Sequence, residues 1–469
     1  MGAGTAVAQA IPLAAGPLLT RLYDPYEFGL MTSTVALALL LSVVATARYE
    51  LAIVLPESDR DAQTVAGAAA VLATIVCAAA MAFVALAEMA APAMAGSSRL
   101  GPWIMAVPVM AWLMACGQIG NCIANRARDY PRMAAAAIAQ QAVTAAIACL
   151  LGVVSAPFNG LIAGRMAGNA AYALAFRQRL RRLIVERTRT WSLPECRDVC
   201  RRYRQFPQYN LPYSLVGSFS RDFIVLALTY RHYVEAAGLY GVARMVVSAP
   251  VFFVSSTLTQ VFFREASERI GTPIFSALVA RMLRTVASAG APLLAWLAYW
   301  GPELFGGIFG PGWRQAGVYA AALCVPASLH LLSSWTTRTF EVCQQQRTSF
   351  RLQIASDALS IVAVLLLLLA GRPPLDAVVG YVACQVAFHV ICLSLILGLL
   401  KMGGAVLWRL LASILGMWAV AWIAGACVAA VLDGLAAILA HLAVAVAIAA
   451  TMLRLSAGVP GPGVARGAG

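Results

Sequence analysis

The sequence predicts an all-α, polytopic membrane protein: two six-helix lobes around a central cavity plus two extra C-terminal helices, about 14 spans in all. Three observations carry this. Hydrophobic residues make up 61% of the chain and charged residues only 12%, against about 25% charged in soluble domains. A helix needs about 20 apolar residues to cross the hydrocarbon core, and fourteen such runs leave no room for a sizeable soluble domain. Finally, the two halves of the chain share local features at corresponding places.

The first span, 3–22, is interrupted by Pro12 and Pro17 and carries Gln9. The following apolar runs are 29–55, 63–87, 102–124, 134–154 and 157–176, closing a first lobe over 1–176. An arginine-rich linker, 177–206, contains RQRLRRL and CRRYR. The second lobe, 207–400, holds runs at 207–229, 238–263, 285–306, 315–340, 352–370 and 376–400. Arg281 and Arg284 make the approach to the third of these amphipathic. Two additional spans, 408–432 and 434–454, and a tail complete 401–469. The lobes look like parallel repeats, a common transporter plan. Tyr26-Glu27-Phe28-Gly29-Leu30 before the second span is echoed by Glu235-Ala236-Ala237-Gly238-Leu239 before the eighth. Pro12/Pro17 in the first span match Pro207/Pro212 in the seventh.

Orientation follows from the basic residues, 33 arginines and the single Lys401. With a cytoplasmic N-terminus, 24 of them fall in inside segments and five outside, namely Arg21, Arg99, Arg231, Arg314 and Arg372. That bias is the positive-inside pattern. The formal charge of +14 therefore reflects topology, and nucleic-acid binding is not expected. The 177–206 segment reads chiefly as a topology signal, with anionic head groups or a cytosolic partner as its functional alternative. No basic n-region precedes the first apolar stretch, so no cleaved signal peptide is expected.

Several classes are disfavoured. A phosphate-binding loop needs Gly-x4-Gly-Lys-Ser/Thr, whereas Lys401 sits in GLLKMGG. The eleven cysteines are scattered, mostly within apolar runs, and Cys196/Cys200, the closest pair, has no second pair to complete a zinc site. His330, His389 and His441 lie singly in apolar runs and His232 in a turn. No metal, cofactor or catalytic residue is expected, and the protein is read as a non-enzyme. A glycan polymerase or ligase would need a large outside loop, and the outside turns are short.

Five arginines lie inside apolar runs: Arg48, Arg165, Arg221, Arg244 and Arg338. At mid-bilayer each is unfavourable by roughly 3 kcal/mol, so a compensating role is expected. An anionic substrate in a polar cavity fits best. Two guanidiniums, Arg221 and Arg244, on adjacent spans would suit a diphosphate, which each can grip bidentately. The alternative is an internal salt bridge with Asp222 or, from the eleventh span, Asp357. Arg165 lies beside a ridge of Gly160, Gly164 and Gly168, read as close helix packing, with Asn169 one turn further on. Arg48 with Glu50, and Arg338 with Glu341, could instead snorkel and form local ion pairs. Asp222 and Asp357 are the intramembrane carboxylates able to carry a coupling proton.

The stretches PLLTRLYDPYEFGL (17–30), RYELAIVLP (48–56), AGLYGVARMVVSAPVFFVSSTLTQVFFREASE (237–268) and FGPGWRQAGVYAA (309–321) resemble the bacterial polysaccharide biosynthesis proteins. These are lipid-linked oligosaccharide flippases of the multidrug/oligosaccharidyl-lipid/polysaccharide exporter superfamily. The resemblance runs over most of residues 1–400. It implies two lobes around a cationic cavity and flipping of an undecaprenyl-diphosphate-linked sugar unit, a polysaccharide or lipopolysaccharide repeat, across the inner membrane. The family's cavity is typically lined by Arg or Lys, which matches the character of Arg48, Arg221 and Arg244, and Arg165 joins them as a cavity candidate from its place in an apolar run. The resemblance also implies a lipid-linked substrate, surrounding lipids and glycan polymerase or glycosyltransferase partners. The rivals are a cation-coupled multidrug exporter of the same superfamily, which should favour carboxylates and aromatics, and a non-catalytic subunit of an envelope glycan assembly complex.

Overall fold

The computed structural model describes residues 2–90, 100–178, 193–270 and 272–458, and every regular element there is helical. Each of the fourteen expected spans overlaps a helix, although several, 29–55 and 285–306 among them, are divided between two helical elements. The chain runs through α1 (Gly2–Leu22), α2 (Pro25–Thr46), α3 (Asp59–Ala90), α4 (Ala106–Arg126), α5 (Tyr130–Val153) and α6 (Gly160–Ala175). A short α7 (Leu193–Arg202) follows from the linker, whose central part, 179–192, lies outside the described residues. Then come α8 (Leu211–Tyr230), α9 (Val234–Arg269), α10 (Pro273–Tyr299), α11 (Gly301–Phe309), α12 (Arg314–Thr336) and α13 (Arg338–Val342). The last are α14 (Gln346–Leu369), α15 (Pro374–Leu399), α16 (Gly404–Ala429) and α17 (Gly434–Gly458). Among the described residues, 12 candidate spans are long and apolar enough to cross a membrane. The helices at 6–22 and 160–175 are the shorter first and sixth. This is an all-α, multi-pass membrane protein.

Helix starts follow local chemistry. Asp24 and Glu27 form a capping box at α2, each side chain accepting the other's backbone N–H at 3.2 and 2.8 Å. Asn159 caps α6, its Oδ1 accepting from Leu161 and Ile162, while its amide donates to Glu27 O at 2.9 Å. Thr272 caps α10 ahead of Pro273, so this helix begins well before the expected 285 and takes in Arg281 and Arg284.

Two compact units emerge, Met1–Gly241 and Val242–Gly469. The division falls within α9 rather than in the 177–206 linker, because α8 and the first turns of α9 pack on α2. Ser33 on α2 and Thr229 on α8 share a buried 2.6 Å hydrogen bond. Gly29 and Gly238 let α2 and α9 touch backbone to backbone. A Cβ on Gly29 would lie 1.9 Å from Val234 O, and one on Gly238 2.0 Å from Pro25 O. The contact is reciprocal, since each carbonyl lies four residues before the facing glycine. The two turns that resemble each other in sequence are therefore opposed in space.

In the first unit the glycine ridge of α6 does pack closely. Cβ atoms at Gly164 and Gly168 would fall 2.7 Å from Thr144 O and 1.9 Å from Thr144 Oγ1 on α5, and one at Gly160 would fall 2.0 Å from Tyr23 Oη. Tyr23, in the α1–α2 turn, donates to Ala148 O at 2.7 Å. Burial, helped by Glu27, pushes its phenol up to about 12, so it stays a donor. In the second unit α17, the second of the two additional helices, docks through indole donors from α10 and its C-cap. Trp296 Nε1 donates to Ile438 O at 3.1 Å and Trp300 Nε1 to His441 Nδ1 at 2.9 Å. An indole N–H only donates, so His441 Nδ1 is the acceptor.

Candidate functional site

The best-defined constellation lies where α2 ends. Hydropathy alone predicts one span over 29–55, but the α-helix stops at Thr46 and resumes as a tighter 3-10 turn, Tyr49–Val54. Between them Ala47 (φ 46°) and Arg48 (φ 63°) are both left-handed. Each such residue with a Cβ costs roughly 1–2 kcal/mol. The reversal carries Arg48 away from the helical path and sets it against Glu50. Arg48 Nε donates to Ser214 Oγ of α8 at 2.8 Å and its Nη1 donates to Glu50 Oε1 at 3.0 Å. The side chain of Arg48 is 22% exposed and that of Glu50 only 1%. Glu50 Oε2 is buried without a hydrogen-bond partner. Arg48 Nη2 donates to no group among the described residues and is not buried. The arginine therefore has two anchored nitrogens and one open donor edge.

Seven residues beyond Ser214 on the same face of α8 lies Arg221, about 10 Å along the axis. Its side chain is exposed, whereas Asp222, turned about 100° away, is buried at 7%. Arg165 on α6 has a buried Nε without a hydrogen-bond partner. One turn on, Asn169 accepts from Gln140 Nε2 at 2.7 Å and leaves its own Nδ2 unsatisfied. Arg165, Asn169 and Gln140 thus mark a second polar patch in the first unit. In the second unit, Arg244 is half-buried on α9, and Asp357 is buried on α14, accepting from Gln353 Nε2 at 2.9 Å. Arg338 pairs with Glu341 at half exposure, the local ion pair that its spacing allows.

Ser214 carries no sequence signal beyond its two-turn spacing from Arg221. The left-handed pair has none, since neither Gly nor Pro marks the break.

A separate hollow of about 740 Å³ lies at the end of the first unit, lined by Ile53, Val54, Asp59, Gln63, Arg126, Arg128 and Tyr130 among others. None of the five apolar-run arginines lines it. Arg126 fastens the 53–59 turn: Nη1 donates to Pro56 O at 2.5 Å, and Nη2 reaches Glu57 O at 3.3 Å and Asp59 Oδ1 at 2.9 Å. Arg126→Ala is expected to destabilise by about 2 kcal/mol. It should lower the Tm in detergent by several degrees, whereas an unchanged melting curve would show the fastening to be idle.

The sequence matches the family model described as "Polysaccharide biosynthesis protein" over residues 18–318. No curated protein sequence matches the chain. Among solved structures, the lipid II flippase MurJ in an inward closed conformation aligns with a TM-score of 0.73 at 10% identity, covering 96% of this chain and 97% of that one. An inward-facing multidrug resistance MATE family transporter of the MOP superfamily aligns at 0.55 and 14% identity, covering 84% and 96%. A MOP superfamily transporter from Pyrococcus furiosus, with a binding pocket of reverse polarity, aligns at 0.50 and 15%, covering 86% and 95%. At these identities the likeness is one of fold.

Proposed function

From the premise that this chain belongs to the polysaccharide biosynthesis protein family, we propose that it is a flippase for an undecaprenyl-diphosphate-linked oligosaccharide in the bacterial inner membrane. The head group enters from the cytoplasmic side, where the N-terminus also lies, and alternating access of the lobes 1–176 and 207–400 re-exposes it outside. The 177–206 segment links the lobes, and 401–469 is an addition to them. The observation that carries this reading is the anchored but open guanidinium of Arg48. A guanidinium held at two nitrogens with a third accessible is already oriented for an anion.

Arg221, Arg244 and Arg165 supply further positive charge along the path. Buried Asp222 and Asp357 are the carboxylates assigned to ion coupling. The protein moves its substrate without making or breaking bonds and needs no cofactor. Its partners are the enzymes that build the glycan before transfer and polymerise it afterwards.

A strain lacking the gene tests this. Surface glycan should disappear, lipid-linked precursor should accumulate on the cytoplasmic side, and the wild-type gene should restore both. Intact surface glycan with new sensitivity to cationic drugs would instead identify a drug exporter.

A further inference from the structure

Glu50 is a costly residue where it stands. Its side chain is 1% exposed, one carboxylate oxygen has no hydrogen-bond partner, and two consecutive left-handed residues bring it to Arg48. The turn that carries it packs into an apolar cluster including Ala52, Ile53, Val65, Ala66, Ala69 and Ile119. A buried polar atom left unpaired calls for an explanation. Structural stability is a poor one, because a purely structural pair would satisfy both oxygens.

Ser214 and Glu50 take one donor each from Nε and Nη1 of Arg48. Any anion that binds the open Nη2 edge therefore lands within a few ångströms of the Glu50 carboxylate. In an apolar surrounding that repulsion is strong. We propose that Glu50 is a built-in competitor for the substrate's diphosphate at Arg48: it orients the guanidinium, and by partly neutralising it keeps the hold on the anion weak enough for release. Glu50 is thus a positioning residue, and its role is to balance capture against release. A carrier must do both in each cycle, and a bare arginine in a poorly solvated site would favour capture alone. This inference rests on the diphosphate reading of Arg48 given above.

The test uses the full-length protein in nanodiscs, with farnesyl diphosphate as the probe and farnesol and inorganic pyrophosphate as controls. Glu50→Gln keeps the shape and removes the charge. It should bind farnesyl diphosphate about tenfold tighter with slower dissociation, and leave farnesol binding unchanged. Ser214→Ala frees the guanidinium and should weaken binding instead. A merely structural glutamate would give the opposite sign in the Gln variant, with lost stability and weaker binding. Should Glu50→Gln fail to accumulate, Glu50→Asp withdraws the charge by one methylene and should tighten binding by a smaller factor. Unchanged or weaker binding in the folded variant overturns the proposal for Glu50 alone. If the wild-type protein binds neither diphosphate, the reading of Arg48 falls with it.

Discussion

Arg221→Ala and Arg244→Ala are each expected to abolish outward display of the glycan while the protein still accumulates in the membrane. The physical basis is the different burial of neighbouring groups. On α8 the packing is carried by Asp222, Phe223, Ile224 and Val225, all buried, while Arg221 is exposed. Truncating an exposed side chain leaves this packing in place, so folding should survive. Arg244 is half-buried on α9 between the buried Ala243 and Val247, and Ala suits a helix interior. Removing one charged partner of a desolvated anion typically costs 2–5 kcal/mol, a fall in transport of at least about thirtyfold. Arg→Lys at either position keeps the charge but loses the planar fork, and should retain partial display. Normal display in both Ala variants, at normal membrane levels, would remove these residues from the substrate path.

Gly29→Val and Gly238→Val should prevent correct assembly of the first unit. The clash is with backbone carbonyls, at 1.9 Å from Val234 O and 2.0 Å from Pro25 O, so no rotamer change relieves it. Overpacking of this kind costs about 1–3 kcal/mol or more, and at these distances α2 and α9 must move apart. The buried Ser33–Thr229 bond at 2.6 Å, on the neighbouring part of α2, would also be disturbed. Size-exclusion profiles and thermal unfolding in detergent report the effect, and even the Ala variants should melt lower. Gly217 on α8 is the internal control, since a Cβ there meets nothing within 4 Å. Gly217→Ala should be neutral or stabilising by up to about 1 kcal/mol. Equal stability of Gly29→Ala, Gly238→Ala and the parent would mean the close approach has little energetic weight.

The spans were legible because a membrane imposes a length and a hydropathy that each run must meet on its own, without reference to its neighbours. Even the interrupted 3–22 and the Arg165-bearing 157–176 were recognisable as spans, and both are helices. The Gly29 and Gly238 turns were visible as a repeat, although their mutual contact was not, because facing glycines leave no pairing mark in a single sequence. The break at Ala47–Arg48 was hidden for a related reason. Residues of that type ordinarily continue a helix, whereas here the left-handed turn accompanies one local bond, to Glu50, and one long-range bond, to Ser214. Arg48 and Ser214 lie 166 residues apart, beyond the reach of any local pattern. Arg338 shows the other limit: its Glu341 partner was apparent from i,i+3 spacing alone.

Reconstitution measures the central claim most directly. Purified protein in liposomes, loaded with an undecaprenyl-diphosphate-linked oligosaccharide, is probed by a glycosidase on one side of the bilayer. The substrate fraction reached by the enzyme should rise with time from the initially exposed leaflet toward the full pool, in proportion to the protein incorporated. Arg48→Ala should slow that rise. A plateau at the one-leaflet value whatever the amount of protein, or the same rise with Arg48→Ala as with the parent, would contradict the account.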